Sequence, residues 1–282
     1  MYYFIKDDFN QGVFMEYQDL TDNNRFKGDT YDTPEGKRSF FNKLVLGNRI
    51  DFYVRNFAVF QQSGACAGRG ELDGFNQIKY SNMNVDVVEK CGGKIHLRGL
   101  DKVRAVNHAP VVVIGNHMSL LETALLHAVI RAHIDFSFVI KESLLKIPYF
   151  GNILRALDAV AVGRSDPRED FKHVMTEGTR ILNSGRSIII FPQSTRSVEF
   201  KVEEFNSIGV KLARSAGVQV LPMALKTDFV RTGKIIRDLG PVNLKKEIYF
   251  EFGDAMTIEG NGKEQHAQIA EFIKSRLESW KD

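Results

Sequence analysis

Two residue types that can move a proton stand close together in VVVIGNHMSLLETALL, residues 111–126. His117 follows a β-branched apolar run, and Glu122 comes after four intervening residues at the start of an apolar helical pattern. Ser119-Leu120-Leu121-Glu122 has capping-box spacing, so Glu122 can cap its own helix. The same position also sets its carboxylate beside His117. The first turn of a helix carries partial positive charge and favours an ionised acid there. An ionised acid next to an imidazole holds the ring and supports a transient imidazolium. That is the arrangement of a general base, an effect worth about 10²–10⁴ in rate. From spacing alone, cap and catalytic pair are both open readings.

A second polar concentration is FPQSTRS, residues 191–197, directly after the apolar run SIIIF. Pro192 lacks the N–H a strand ladder needs and ends it. Gln193, Ser194, Thr195, Arg196 and Ser197 then follow without a break. The guanidinium of Arg196 is a planar, permanent cation suited to a phosphate or carboxylate. Hydroxyls and backbone N–H groups can complete an anion cradle around it. A polar loop with a surface arginine is the plainer alternative.

These residues need a scaffold, and from about residue 85 the pattern supplies one. Strands are expected at 94–99, 111–115, 135–140, 157–163, 187–191, 218–225 and 246–253, and helices at 119–132, 169–185, 207–217 and 265–280. Strands alternating with helices predict an α/β fold, a mostly parallel central sheet flanked by helices. In such sheets chemistry gathers beyond the C-terminal ends of the strands, where both motifs fall. Upstream the pattern is weaker. Residues 1–36 read as a hairpin turning near Asn10–Gly12 and then an exposed loop. Residues 38–62 interleave Phe41, Leu44, Val45, Phe52, Phe57, Val59 and Phe60 with Lys43, Arg49 and Arg55. Amphipathic helices at a bilayer interface have this composition, and so do helices packed on a core. SGACAGRGELDG, 63–74, reads as a loop or linker. The expected division is an N-terminal extension at 1–80 and the main domain at 81–282.

Bulk properties narrow the classes. The chain is 43% hydrophobic and 26% charged, ordinary for a folded protein. Net charge is +3, but residues 141–246 hold 18 Lys and Arg against 11 Asp and Glu. A positive half suits an anionic ligand or surface, although a solvated basic face would look the same. Cys66 and Cys91 fit neither a disulfide framework nor a zinc pattern and suit a reducing compartment. The acidic start MYYFIKDDFNQG does not resemble a signal peptide. No window approaches a spanning helix. His96, His108, His127, His133, His173 and His266 lack metal-ligand spacing, so no metal is expected.

NHMSLLE followed by FPQSTRS resembles the glycerolipid acyltransferase family, whose motifs are N-H-x4-D and F-P-E-G-T-R-S in that order. KESLLKIPYFG (141–151), AVAVGRSD (159–166) and FNSIGVKLARSAGVQVLPMAL (205–225) resemble further blocks, so the likeness runs over about 90–230. It implies acyl transfer from acyl-CoA or acyl carrier protein to a lyso-phospholipid hydroxyl, with lysophosphatidic acid as the first expected acceptor. His117 would be the general base and Glu122 its partner. Asn116, Lys141, Arg164, Gln193, Ser194, Thr195 and Arg196 would bind substrate, Arg164, Arg196 and Lys141 meeting the acceptor phosphate. No metal or bound cofactor and no nucleic acid is implied, and contact with a membrane would be peripheral, at its cytoplasmic face. Three positions depart from the family. Glu122 replaces Asp and is longer by roughly 1.5 Å; Gln193 replaces Glu; Ser194 replaces Gly. The changes at Gln193 and Ser194 leave room for another lyso-lipid or amino-lipid acceptor, or for a catalytically silent lipid-binding protein with this fold. A hydrolase using Ser194 is a further alternative, without the G-x-S-x-G elbow.

Overall fold

The computed structural model describes residues 19–22, 24–40, 49–193, 195–233 and 239–281. The hairpin expected near Asn10–Gly12, together with Phe41, Lys43, Leu44, Val45 and Ser194, lies outside them.

The apolar run Val111–Gly115 forms β3, and all five of its residues are buried. Its pleat points Val111 and Val113 to one core and Val112 and Ile114 to the other. Both faces are therefore covered, which is why the run does not alternate with polar residues. Around β3, β1 (Tyr31–Asp32), β2 (Ile95–Arg98), β4 (Phe136–Lys141), β5 (Val160–Val162), β6 (Ser187–Ile190), β7 (Gln219–Lys226) and β8 (Ile248–Phe252) build one sheet. The strand order is β1-β2-β8-β7-β3-β6-β4-β5. Strands β7, β3, β6, β4 and β5 run parallel, while β8 is antiparallel to β7 and β1 to β2. Ile114 pairs with Ile190 on one side and Pro222 on the other. The loops leaving β3, β6 and β7 thus emerge side by side.

Helices α1 (Arg49–Gly68), α2 (Gly74–Lys90), α3 (Leu100–Ala105), α4 (Leu121–Ile130) and α5 (Phe150–Ala156) contribute to the core on the Val111 face. Helices α6 (Pro167–Asn183), α7 (Ile208–Ala216) and α8 (Lys263–Ser279) cover the Val112 face. Asp166 starts α6 by accepting the N–H groups of Arg168 and Glu169, with Pro167 at the first helical position.

The N-terminal third differs from the sequence reading. SGACAG is not linker but the last part of α1, and only 69–73 separate it from α2. Gly64 is there for close approach: a Cβ on it would meet Tyr149 Cβ at 2.5 Å. The expected boundary at 80/81 falls inside α2, whose Ser81 accepts the N–H of Ala128 and donates to the carbonyl of Ala124 in α4. Tyr31 and Asp32, expected in an exposed loop, pair with β2. On α1, Phe52 and Val59 are buried, Phe52 lying edge-on to Phe229 at 6.0 Å. Ile50, Val54 and Phe57 are about 60% exposed on the opposite face. Both cysteines are free and buried.

Candidate active site

His117 sits two residues beyond β3, with its ring stacked on Phe191 at 4.5 Å between centroids and 12° between planes. Its Nδ1 is hydrogen-bonded to Glu122 Oε2. The second oxygen of Glu122 accepts from the N–H of Met118 at 2.7 Å, the N–H of Ser119 at 2.9 Å and the hydroxyl of Thr227 at 2.6 Å. Glu122 is therefore both the helix cap and the partner of His117, one oxygen for each task. Its side chain is wholly buried, while that of His117 is 22% exposed. Glu122 thus accepts three hydrogen bonds besides its contact with the imidazole. An Nδ1–H donating to this carboxylate would leave Nε2 as the free ring nitrogen.

The loop after β6 locks the backbone of His117. Gln193, buried, accepts the His117 N–H through Oε1 at 2.9 Å. The N–H of Ser197 donates to the carbonyl of His117 at 2.9 Å. Two loops that start on neighbouring parallel strands are thus tied to each other at the histidine, with Arg196 adjoining the second tie.

Two residues expected to meet substrate have other work. Asn116 is buried and exchanges both hydrogen bonds with Leu225 of β7, at 2.7 and 2.8 Å, extending the ladder one residue past β3. Gln193, buried as well, braces the backbone of His117 through one lone pair of Oε1. Among the other expected binders, Thr195 is exposed and Arg196 half-buried. Lys141 ends β4, exposed, in register with Val162 of β5. Arg164 follows β5 in the left-handed region at φ 64°. Asp170 of α6 holds that turn, accepting the N–H of Gly163 at 3.0 Å and of Arg164 at 2.8 Å. Because β3, β4, β5 and β6 are parallel, all of these lie along one edge of the sheet.

Thr227, directly after β7, escaped the sequence reading. It is wholly buried, donates to Glu122 and accepts from Ser119 Oγ at 2.9 Å. A hydroxyl at the C-terminal end of a predicted parallel strand was the available signal.

A model of the family described as Acyltransferase matches residues 94–226. The 1-acyl-sn-glycerol-3-phosphate acyltransferase of Pseudomonas aeruginosa is 30% identical over 190 residues, which span 67% of this chain and 68% of that protein. A chloroplast protein of the same description from Arabidopsis thaliana is 28% identical over 143 residues, 51% of this chain and 38% of its own length. The fold is similar to the crystal structure of the 1-acyl-sn-glycerophosphate acyltransferase from Thermotoga maritima, with a TM-score of 0.66 at 20% identity over 84% of this chain and 97% of that one.

Proposed function

This chain belongs to the acyltransferase family and is an O-acyltransferase, and we propose that it moves a fatty acyl group from a thioester donor to the free hydroxyl of 1-acylglycerol-3-phosphate, with His117 as general base. The observation that carries this reading is the His117–Glu122 pair, buried on the acid side and open on the histidine side, at the end of the central strand. Nε2 of His117 takes the hydroxyl proton as the oxygen attacks the thioester carbonyl. The new C–O bond forms, the tetrahedral intermediate collapses, and the C–S bond breaks. The imidazolium, steadied by Glu122, returns the proton to the departing sulfur. Backbone N–H groups near Ser194 and Thr195 are the proposed donors to the oxyanion. Arg164, Arg196 and Lys141 supply positive charge for the acceptor phosphate.

A peripheral bilayer contact fits α1. Its exposed Ile50, Val54 and Phe57 recur at helical spacing, opposite the face that packs inward. Among the described residues no helix is long and apolar enough to cross a membrane.

A thiol-release assay tests the reading. Acyl-CoA or acyl carrier protein with lysophosphatidic acid should release thiol only when donor and acceptor are both present. His117→Ala should abolish release while the chain still folds and unfolds cooperatively. Release without acceptor would mean a hydrolase, and no release with any lyso-lipid would mean a binding protein.

A further inference from the structure

A cleft of about 830 Å³ lies among α6, α7 and the start of α8, on the face of the sheet away from α4. Its apolar lining includes Phe171, Phe205 and Val210, and its cations are Lys211, Arg214 and Lys263. Among the described residues no Asp or Glu lines it. Lys211 stands 5.6 Å above the ring of Phe171, and Arg214 donates to the carbonyl of Gly260 at 3.4 Å. Among the described residues none of the three cations has a carboxylate partner. Elsewhere on this side arginines are paired, Arg180 with Asp158 and Glu177, and Arg276 with Glu251.

Phe205 is buried and stacked on His266, so the apolar side of the cleft is offered mainly by the exposed Phe171. Cations beside such a concave, partly apolar wall suit a polyanion with an apolar or flat group attached. We propose that this cleft binds the phosphorylated adenosine end of acyl-CoA; only the identity of the ligand rests on the acyl-transfer reading. The cleft is joined to the catalytic loop. Asn206 on its wall donates to the carbonyl of Pro192, and the next residue, Gln193, accepts from His117. The apolar stripe of α1 belongs to the opposite side of the sheet. A donor lying across the sheet edge would place its charged end in the cleft, its thioester at His117, and its acyl chain toward α1. An acidic carrier protein would present a convex surface, which a flat basic patch would suit better than a cleft.

The test uses the full chain and 3′,5′-adenosine diphosphate as probe, followed by calorimetry. Wild-type protein and His117→Ala should bind it equally, and Lys211→Glu/Arg214→Glu at least tenfold more weakly. Both substituted residues are exposed, so the unfolding midpoint should hold. In turnover, the double variant should raise KM for acyl-CoA at least tenfold and leave KM for the lyso-lipid unchanged. Absence of nucleotide binding, or equal binding by the double variant, overturns the proposal whatever the turnover result. A raised KM for acyl carrier protein alone also overturns it, while leaving acyl transfer standing. Nucleotide binding that depends on Lys211 and Arg214 in a protein transferring no acyl group would sustain the cleft and sink the transfer reading.

Discussion

Thr227 donates its hydroxyl to one oxygen of Glu122 at 2.6 Å while His117 is bonded to the other. The contact joins the end of β7 to the first turn of α4, so the orientation of the acid is fixed from two directions. Thr227→Val removes a donor from a buried carboxylate, a loss of about 1–3 kcal/mol. We expect kcat to fall about tenfold or more, since 1.4 kcal/mol corresponds to one decade. Thr227→Ser, which keeps the hydroxyl, should restore most of it. Glu122→Gln should cost more, about 10²–10⁴. Equal kcat for the Val and Ser variants would show that Thr227 is only packing.

Arg164 is expected to act on acceptor binding and not on the chemical step. Arg164→Ala should raise KM for lysophosphatidic acid about tenfold or more with donor KM unchanged, the loss of a charge-assisted contact. Asp170→Ala should move KM in the same direction by a smaller factor, because it frees the left-handed turn that aims Arg164. A pure kcat effect in either variant would refute this division.

The legible parts of the chain were those whose pattern is local. Val111–Gly115 was readable as a buried strand because five apolar residues stand together, and Glu122 because a capping box spans four positions. Helix α2 was not, because polar residues share its inward face with Ile78, Val85 and Val88. Ser81 bonds to α4, and Asn84 accepts from Asn56 of α1 at 3.0 Å. A hydrophobic period has gaps wherever a serine or asparagine does the packing. Gly64 misled for a related reason, reading as a breaker where it serves contact with Tyr149. Thr227 is 105 positions from Glu122, and only the pairing of β7 with β3 brings them together. Asn116 could not be told from a substrate ligand until β7 supplied its partner.

Acid sensitivity should come from two buried histidines outside the site. Burial, reinforced by Arg131, pushes His127 down to about 3, and burial with Arg104 pushes His133 down to about 4. The unfolded chain takes up these protons near pH 6.5, whereas the folded chain refuses them until pH 3–4. Stability therefore falls as pH drops below 6.5, by about 1.4 kcal/mol per unit for each histidine, and levels off below the folded values. Among the described residues neither ring nitrogen of His127 has a hydrogen-bond partner, so an apolar replacement forfeits no such bond. Urea unfolding at pH 7 and 5 should show His127→Leu gaining about 2 kcal/mol on wild type between the two. Parallel stabilities at both pH values would count against a buried neutral imidazole.

The two faces of α1 should separate in experiment. Phe52 is 2% exposed beside Phe229, so Phe52→Ala leaves a cavity and should destabilise the fold by about 3–5 kcal/mol. Ile50, Val54 and Phe57 touch solvent over most of their surface, and a charge there meets no core. Ile50→Glu/Val54→Glu/Phe57→Glu should leave the unfolding midpoint within a few degrees, the usual result for surface substitutions. Burying each of the three side chains in an apolar phase is worth up to about 1.5–3 kcal/mol, so their loss should be large in a sedimentation assay with phosphatidylglycerol–phosphatidylethanolamine vesicles. The triple variant should pellet at least tenfold less than wild type, and turnover on vesicle-embedded lysophosphatidic acid should fall more than turnover on a soluble short-chain analogue. Equal pelleting would remove this stripe from the membrane and return it to the ordinary exposed surface of a folded protein.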